Sequence, residues 1–510
     1  MTDSNHFSFT RVKRSLGYFA IGKLGSGLVG LALLVLLARV LSRTDYGTYV
    51  TYVAIFEIVL LVSNFGLFPI AQRFVTDCRI KGTQRQLVKL IFWICLGRLV
   101  TLMVACGGLY LFSGMLLGFM GIQEVIASFL VYLLVMITEG VSRYLDMIFE
   151  SLLLQGYAQA SIFIRNTSKL IAFASVAWFG GGLTLDSLVR LEAMTTTGGM
   201  AIAVLLIIIY FWTHRAPKHD PVTPNRYAPS DMFRFSLLLY FAQVISQIYG
   251  GDAIKLIVAR ILGIIETASF GFAYSISMIL QRYLPTFLLL GMARPLFVAK
   301  FAKGSDFSEI NRMANLMFKL NTFCLVPVIA FFVLYGSQFS SLVSGGKYPE
   351  AGGMLASLCI LLIFQSLHII LGLVALVTKL ANSTLMGTIA GVLGVLLGIY
   401  SVPHFGVYGL VFGLILSELL WCVVAWLIQA HYGYGLRLDW LAVFKLTFVC
   451  ISVIAILNNA PLPTANAIDL MVAFIYVVLS YLILAYLIKP FRNYERSTIN
   501  RFLPKPVFLW

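Results

Sequence analysis

Ionisable side chains stand inside apolar runs at spacings that could hold an anion. Glu139, Arg143 and Asp146 are four and three residues apart and so share one face of a helix, as do Arg165 and Lys169 in the next run. Counted inward from the turn joining these two runs, Glu139 falls at the depth of Lys169, and Arg143 near that of Arg165. Two readings stay open. One is a closed ion-pair network stapling the hairpin, above all through Glu139 and Lys169; the other is a pair of guanidinium groups, Arg143 and Arg165, sharing an anion such as a phosphate. Lys23, Arg98, Lys255 and Arg282 are further cations at depth, and Glu57, Asp252 and Glu418 further acids. Each costs several kcal/mol in hydrocarbon unless it faces a wet cavity or a partner. The cations outnumber the acids modestly, so some positive charge is expected to lack a protein partner. Asp252 and Lys255, three apart, could satisfy each other, whereas Arg282 has no acid at helical spacing and reads as a cavity-facing cation. Lys319 lies near enough to a span end to snorkel and is set aside.

The elements that must position these groups are membrane helices. The chain is 60% hydrophobic and 11% charged, against about 25% charged in a typical soluble domain. About fourteen runs of spanning length are predicted, over residues 16–41, 46–70, 88–113, 124–150, 157–180, 187–212, 233–260, 267–293, 313–336, 351–377, 383–402, 407–430, 441–459 and 468–488. The net charge of +16 would suggest nucleic acid in a soluble protein. Here the basic residues cluster in every second connection, from Arg11, Lys13 and Arg14 to Lys489, Arg492 and Arg496. By the positive-inside rule this places both termini in the cytoplasm of a multi-pass inner-membrane protein with no nucleic-acid partner.

The Pro- and charge-rich connection at 213–232 separates an N-lobe (1–212, six spans) from a C-lobe (233–431, six spans). Six is even, so the lobes are expected as parallel pseudo-repeats, followed by two further spans (432–488) and a tail (489–510). The fold class is therefore all-α and polytopic. No metal set is expected: the seven cysteines form no CxxC pair and read as small buried hydrophobes. Gly25, Gly27 and Gly30 fit GxGxxG with Asp45 downstream, but no strand precedes them. They are read as helix-packing glycines, as are Gly387, Gly391, Gly394 and Gly398. His368 is the one histidine deep in a span; it could serve a membrane acyltransferase as general base, or sit packed and hydrogen-bonded. No catalytic residue is assigned.

Several degenerate motifs in a fixed order extend over nearly the whole chain: LLARVLSRTDYGTY after the first span, LLLQGYAQA around Gly156, GGLTLDSLV from Gly181, GGDAIKLIVARILGIIETASFGFAYSI around the seventh, and VPHFGVYGLVFGLILSE from Val402. In these the chain resembles the polysaccharide transporters of the multidrug/oligosaccharidyl-lipid/polysaccharide exporter superfamily, the lipid-linked oligosaccharide flippases. Many relatives place a basic residue directly after the aspartate of the seventh helix, where this chain has Ala253.

The resemblance implies two lobes around a central cationic cavity that alternates between the membrane faces. It implies a polyprenyl-pyrophosphate-linked oligosaccharide as substrate, in O-antigen or exopolysaccharide biosynthesis, with membrane lipids, a polymerase and other polysaccharide-assembly proteins as the partners to expect. Arg143, Arg165 and Arg282 are then the leading anion-binding candidates, with Lys23, Arg98, Lys169 and Lys255 lining the same cavity. Glu57, Glu139, Asp146 and Asp252 are the candidate ion or pair partners. No cofactor is expected, and the coupling ion, H+ or Na+, is left open. A drug or cation antiporter of the same superfamily, and a ligase or acyltransferase acting on lipid-linked sugars, are the alternatives.

Overall fold

A computed structural model describes residues 9–81, 83–152, 154–213, 237, 240–241, 243–288, 290, 297, 307–459, 462–464 and 466–502. Among them the secondary structure is helical, without strands. The long helices are α1 (Phe9–Val40), α2 (Arg43–Val62), α3 (Gln84–Leu111), α4 (Ile126–Ser151), α5 (Gln155–Phe179), α6 (Leu185–Thr213), α7 (Gly251–Ile261) and α8 (Ile264–Tyr283). They continue with α9 (Phe307–Ser344), α10 (Ala351–Thr378), α11 (Ala381–Phe405), α12 (Val407–His431), α13 (Trp440–Asn458), α14 (Ala467–Ile488) and a short α15 (Asn493–Phe502). Each predicted span meets one of α1 to α14. Eleven helices among the described residues are long and apolar enough to cross a membrane. The ones that fall short are α5, which carries Arg165 and Lys169, and α7 and α8. Helices suit this chain because hydrocarbon offers backbone N–H and C=O groups no partner outside the segment itself. Nearly all of the predicted 213–232 connection lies outside the described residues.

The chain forms two compact units, Met1–Ala268 and Ser269–Trp510, dividing inside α8. In the first, α4 is the axis, packing against α3, α5 and α6, while α1 lies on α5 and α7 on α2. Tyr52, Phe129 and Tyr132 are buried together at its heart. In the second, α9 packs on α10, α13 and α14, and α12 is held between α10 and α11. Large apolar side chains such as Val104, Leu111, Tyr400, Phe444 and Ile468 remain exposed, as a surface facing lipid requires.

Small residues set the closest helix approach. A Cβ on Gly398 of α11 would stand 2.7 Å from the Gly413 Cα of α12, and one on Gly394 would stand 2.3 Å from the Ser417 nitrogen. The two backbones touch there without intervening side chains. In α1, by contrast, Gly25 makes only ordinary contact with Phe163 and Gly30 faces open space. The tight approach in that helix is at Gly22, on Gln159.

The predicted second span, 46–70, is not continuous. Helix α2 stops at Val62, Phe65 and Gly66 turn through left-handed backbone (φ 42° and 78°), and a short helical turn, Leu67–Ile70, leads into π-type turns over Ala71–Val75. The signal in the sequence is Ser63-Asn64-Phe65-Gly66, a turn-forming set inside an apolar run.

Candidate functional site: a polar pocket at a broken helix

Breaking a helix inside an apolar environment leaves carbonyl groups to satisfy. The Val59 carbonyl accepts from Ser63 N (2.9 Å) and Oγ, and the Leu61 carbonyl from Asn64 N at 3.1 Å. The Leu60 carbonyl accepts from Arg98 Nη2 at 3.0 Å, and the Val62 carbonyl from the Tyr240 hydroxyl at 2.7 Å. Asn64 Oδ1 accepts from Phe68 N and so starts the next turn. A cation at the C-terminal end of a helix is also favoured by the helix dipole.

Arg98, on α3, is 4% exposed. Its Nη1 donates to Ser63 Oγ at 3.1 Å, while its Nε is buried with no hydrogen-bond partner. No carboxylate pairs with it among the described residues. It lines a cavity of about 330 Å³ whose wall also includes Glu57, Asn64, Arg143, Tyr144, Gln243, Gln247 and Asp252.

Arg143 is the most accessible cation of that wall, with 43% of its side chain exposed. Its Nη1 donates to Glu57 Oε1 at 2.7 Å and its Nε to Glu139 Oε1 at 3.1 Å, and its guanidinium lies 5.0 Å from the centre of the Phe56 ring. Behind it the charges interlock in the protein interior. Lys169 Nζ donates to Glu139 at 3.3 Å and to Glu192 at 3.1 Å, and Arg165 Nη2 donates to Asp146 at 2.7 Å. Arg165 Nε lies 3.2 Å from Glu139 Oε2, but the angle makes this an ion contact rather than a hydrogen bond. Tyr49 closes the network by donating to Glu192.

The predicted residues therefore divide. Arg98, Arg143, Glu57 and Asp252 come together on one cavity. Arg165 and Lys169 are buried in ion pairs with Glu139, Asp146 and Glu192 and are not part of its wall. Lys255 is buried and donates to Asp252 at 2.8 Å. Lys23 is partly buried on α1, where its charge acts on Glu150. Arg282 stands exposed in the last turn of α8, in the second unit. His368 lies flat on Trp421, ring centroids 3.5 Å apart, with Nδ1 2.6 Å from Glu418 Oε2.

The neutral polar groups of the pocket, Asn64, Tyr144, Gln243 and Gln247, carry no charge to mark them within an apolar run and so escaped notice in the sequence. So did Glu192, although it sits five residues inside the predicted sixth span. Lys319, set aside as a snorkelling residue, is in fact buried: its Nζ donates to Asp439 at 2.6 Å and to Glu495 at 2.8 Å.

Solved structures of similar fold include membrane transporters. The structure of a lipid II flippase, MurJ, in an inward closed conformation superposes with a TM-score of 0.71 at 15% identity, covering 94% of this chain and 99% of that one. An inward-facing multidrug resistance MATE family transporter of the MOP superfamily gives 0.61 at 14% identity, covering 81% and 98%. Both likenesses are of fold. Residues 12–297, more than half of the chain, match the family described as "Polysaccharide biosynthesis protein", and the chain belongs to that family. No curated protein sequence matches it.

Proposed function

We propose that the protein is a flippase. It moves a polyprenyl-pyrophosphate-linked oligosaccharide from the inner to the outer leaflet of a bacterial cytoplasmic membrane, for assembly of a cell-surface polysaccharide. The observation that carries this is Arg98: a buried cation with no carboxylate partner among the described residues, at a helix break, on the same cavity as the half-exposed Arg143. Broken helices inside a bilayer survive where they are buried in protein or line a water-filled cavity, and in transporters they commonly build the substrate site. Family membership supports the biosynthetic setting, and the fold supports transport by alternating access of two lobes.

The chemistry follows from the charges. A pyrophosphate entering the cavity competes with Glu57 for Arg143 and gains charge-assisted hydrogen bonds from guanidinium groups. Asn64, Gln243, Gln247 and Tyr144 offer neutral donors and acceptors suited to sugar hydroxyls. Arg165 and Lys169 hold the shape of the wall rather than the substrate, because their carboxylates already satisfy them.

The test is lipid analysis of a strain lacking the gene. Build-up of a polyprenyl-pyrophosphate oligosaccharide on the inner leaflet is expected, with restoration by wild type and failure of restoration by R98Q/R143Q at equal protein level. Unchanged lipid pools in the deletion strain would overturn the proposal. A second reading, a drug or cation antiporter, draws on one observation: five carboxylates against four cations among the paired residues around this pocket. That reading predicts altered drug sensitivity with no lipid build-up.

A further inference from the structure

A second, larger cavity lies in the C-terminal unit, where α9, the loop before α13 and the short α15 meet. It measures about 590 Å³ and is lined by Asn311, Arg312, Arg437, Asp439, Arg492 and Glu495, among others. That volume is in the range of small-molecule sites. At 38 residues and ~1.5 Å per residue, α9 is about 57 Å long, nearly twice a hydrocarbon core of ~30 Å. Its first turns, which carry Asn311 and Arg312, therefore stand clear of the hydrocarbon when the rest of the helix spans it.

The walls of this cavity are fixed by hydrogen bonds. Asn311 Oδ1 accepts from Arg437 N at 2.8 Å, and Asn315 Oδ1 from Asp439 N at 2.9 Å, so two residues one turn apart on α9 hold the loop. Buried Lys319 bonds to Asp439 and to Glu495, tying α15 to the same floor. Arg492 Nη2 lies 3.0 Å from Asp439 Oδ2, the same oxygen that Lys319 binds, while Oδ1 accepts from Ala442 N. Both carboxylates of the floor are thereby engaged. Arg312 and Arg437 have no acidic partner among the described residues and are both exposed on the cavity. Three arginines, Arg312, Arg437 and Arg492, line the cavity with two carboxylates, Asp439 and Glu495, and Lys319 is buried against those carboxylates. The residue after Asp439, Trp440, is 69% exposed at the start of a spanning helix, a position typical of the lipid headgroup level.

We propose that this cavity binds a phosphate group, presented by an anionic lipid headgroup or by a soluble phosphate compound, through Arg312 and Arg437 with Arg492 beside them. Planar, always-charged guanidinium groups are the side chains suited to bidentate phosphate contact. The inference is independent of the flippase proposal, since all the residues involved belong to the second unit and those of the polar pocket to the first.

The full chain in phosphatidylcholine nanodiscs is titrated with inorganic pyrophosphate, and in parallel compared with nanodiscs containing phosphatidylglycerol, with bound lipid read by native mass spectrometry and stability by thermal unfolding. Saturable binding of at least one probe is expected. A response to pyrophosphate that persists in R98Q/R143Q identifies a soluble ligand of this cavity, and retention of phosphatidylglycerol alone identifies a lipid. R312Q/R437Q should weaken the response about ten-fold or more, and R312K/R437K, which keeps the charge, should recover part of it. If the glutamine pair unfolds, R312Q and R437Q are read singly and each should weaken binding several-fold. No binding of either probe to wild type, or equal binding by the glutamine variants, overturns the proposal.

Discussion

Arg143 and Arg165 stand on consecutive helices and share Glu139 as an ion partner, yet they should respond differently to substitution. Removing Arg165 strands Asp146 in the interior, while Glu139 keeps Lys169 and Arg143, and breaking such a buried pair costs about 3–5 kcal/mol. Arg165→Met is therefore expected to lower the unfolding temperature in detergent and reduce protein yield, whereas Arg143→Gln, at a half-exposed position, should leave the unfolding temperature nearly unchanged and lower polymer export. Equal loss of stability in both variants would contradict this division. The sequence showed that charges lay at depth but not which were paired. Helical spacing brought Glu139, Arg143 and Asp146 to one face and found the Asp252–Lys255 pair. The partners across helices, Glu57 with Arg143 and Glu192 with Lys169, depend on helix rotation, which spacing along one chain does not specify.

At the scale of elements, hydropathy was sufficient to find every long helix, because the bilayer demands length and apolarity of each one. It missed the break at Ser63–Gly66, since the residues on both sides are apolar and only the turn chemistry interrupts them. Packing between helices yields a test: Gly398→Leu would push a side chain into the Gly413 backbone. Overpacking of this kind costs about 1–3 kcal/mol, readable as a lower unfolding temperature, while the same change at Gly30, in open space, should be nearly neutral. Docking of α15 offers a pH test. Burial alone would raise the Asp439 carboxyl, but the hydrogen bond and charge of Lys319, the Ala442 N–H and Arg492 outweigh it and hold the group below the usual carboxylate range. A depressed folded value means that the stabilisation is complete above an unfolded value of ~3.9 and is lost as pH falls through the folded one. Protection of the Asn493–Phe502 amides against hydrogen exchange, relative to the unstructured rate at each pH, should thus hold down to about pH 4 and fall below it, and Asp439→Asn should show low protection at neutral pH. An unchanged exchange rate in that variant would dismiss the role of Asp439 in docking α15.

For the whole molecule, the alternation of basic connections predicts that a fluorescent protein fused after Trp510 lights up in the cytoplasm and that a periplasmic phosphatase reporter there stays inactive; the opposite result would invert the topology. The charge network of the first unit carries a consequence of another kind. Its four paired cations and five carboxylates, with Arg98 added, sum to zero. A moving charge exchanges roughly 2.3 kcal/mol with each 100 mV of membrane potential, so a network of zero net charge that shifts as one body does no net electrical work. Entry of the proposed pyrophosphate cargo, which carries more than one negative charge, upsets that neutrality, and protons bound along with it restore it. Binding should then take up protons from solution, seen calorimetrically as heats that differ between buffers of unlike ionisation enthalpy. Identical heats would mean that the cargo crosses with its full charge, and that the membrane voltage acts on the cargo alone.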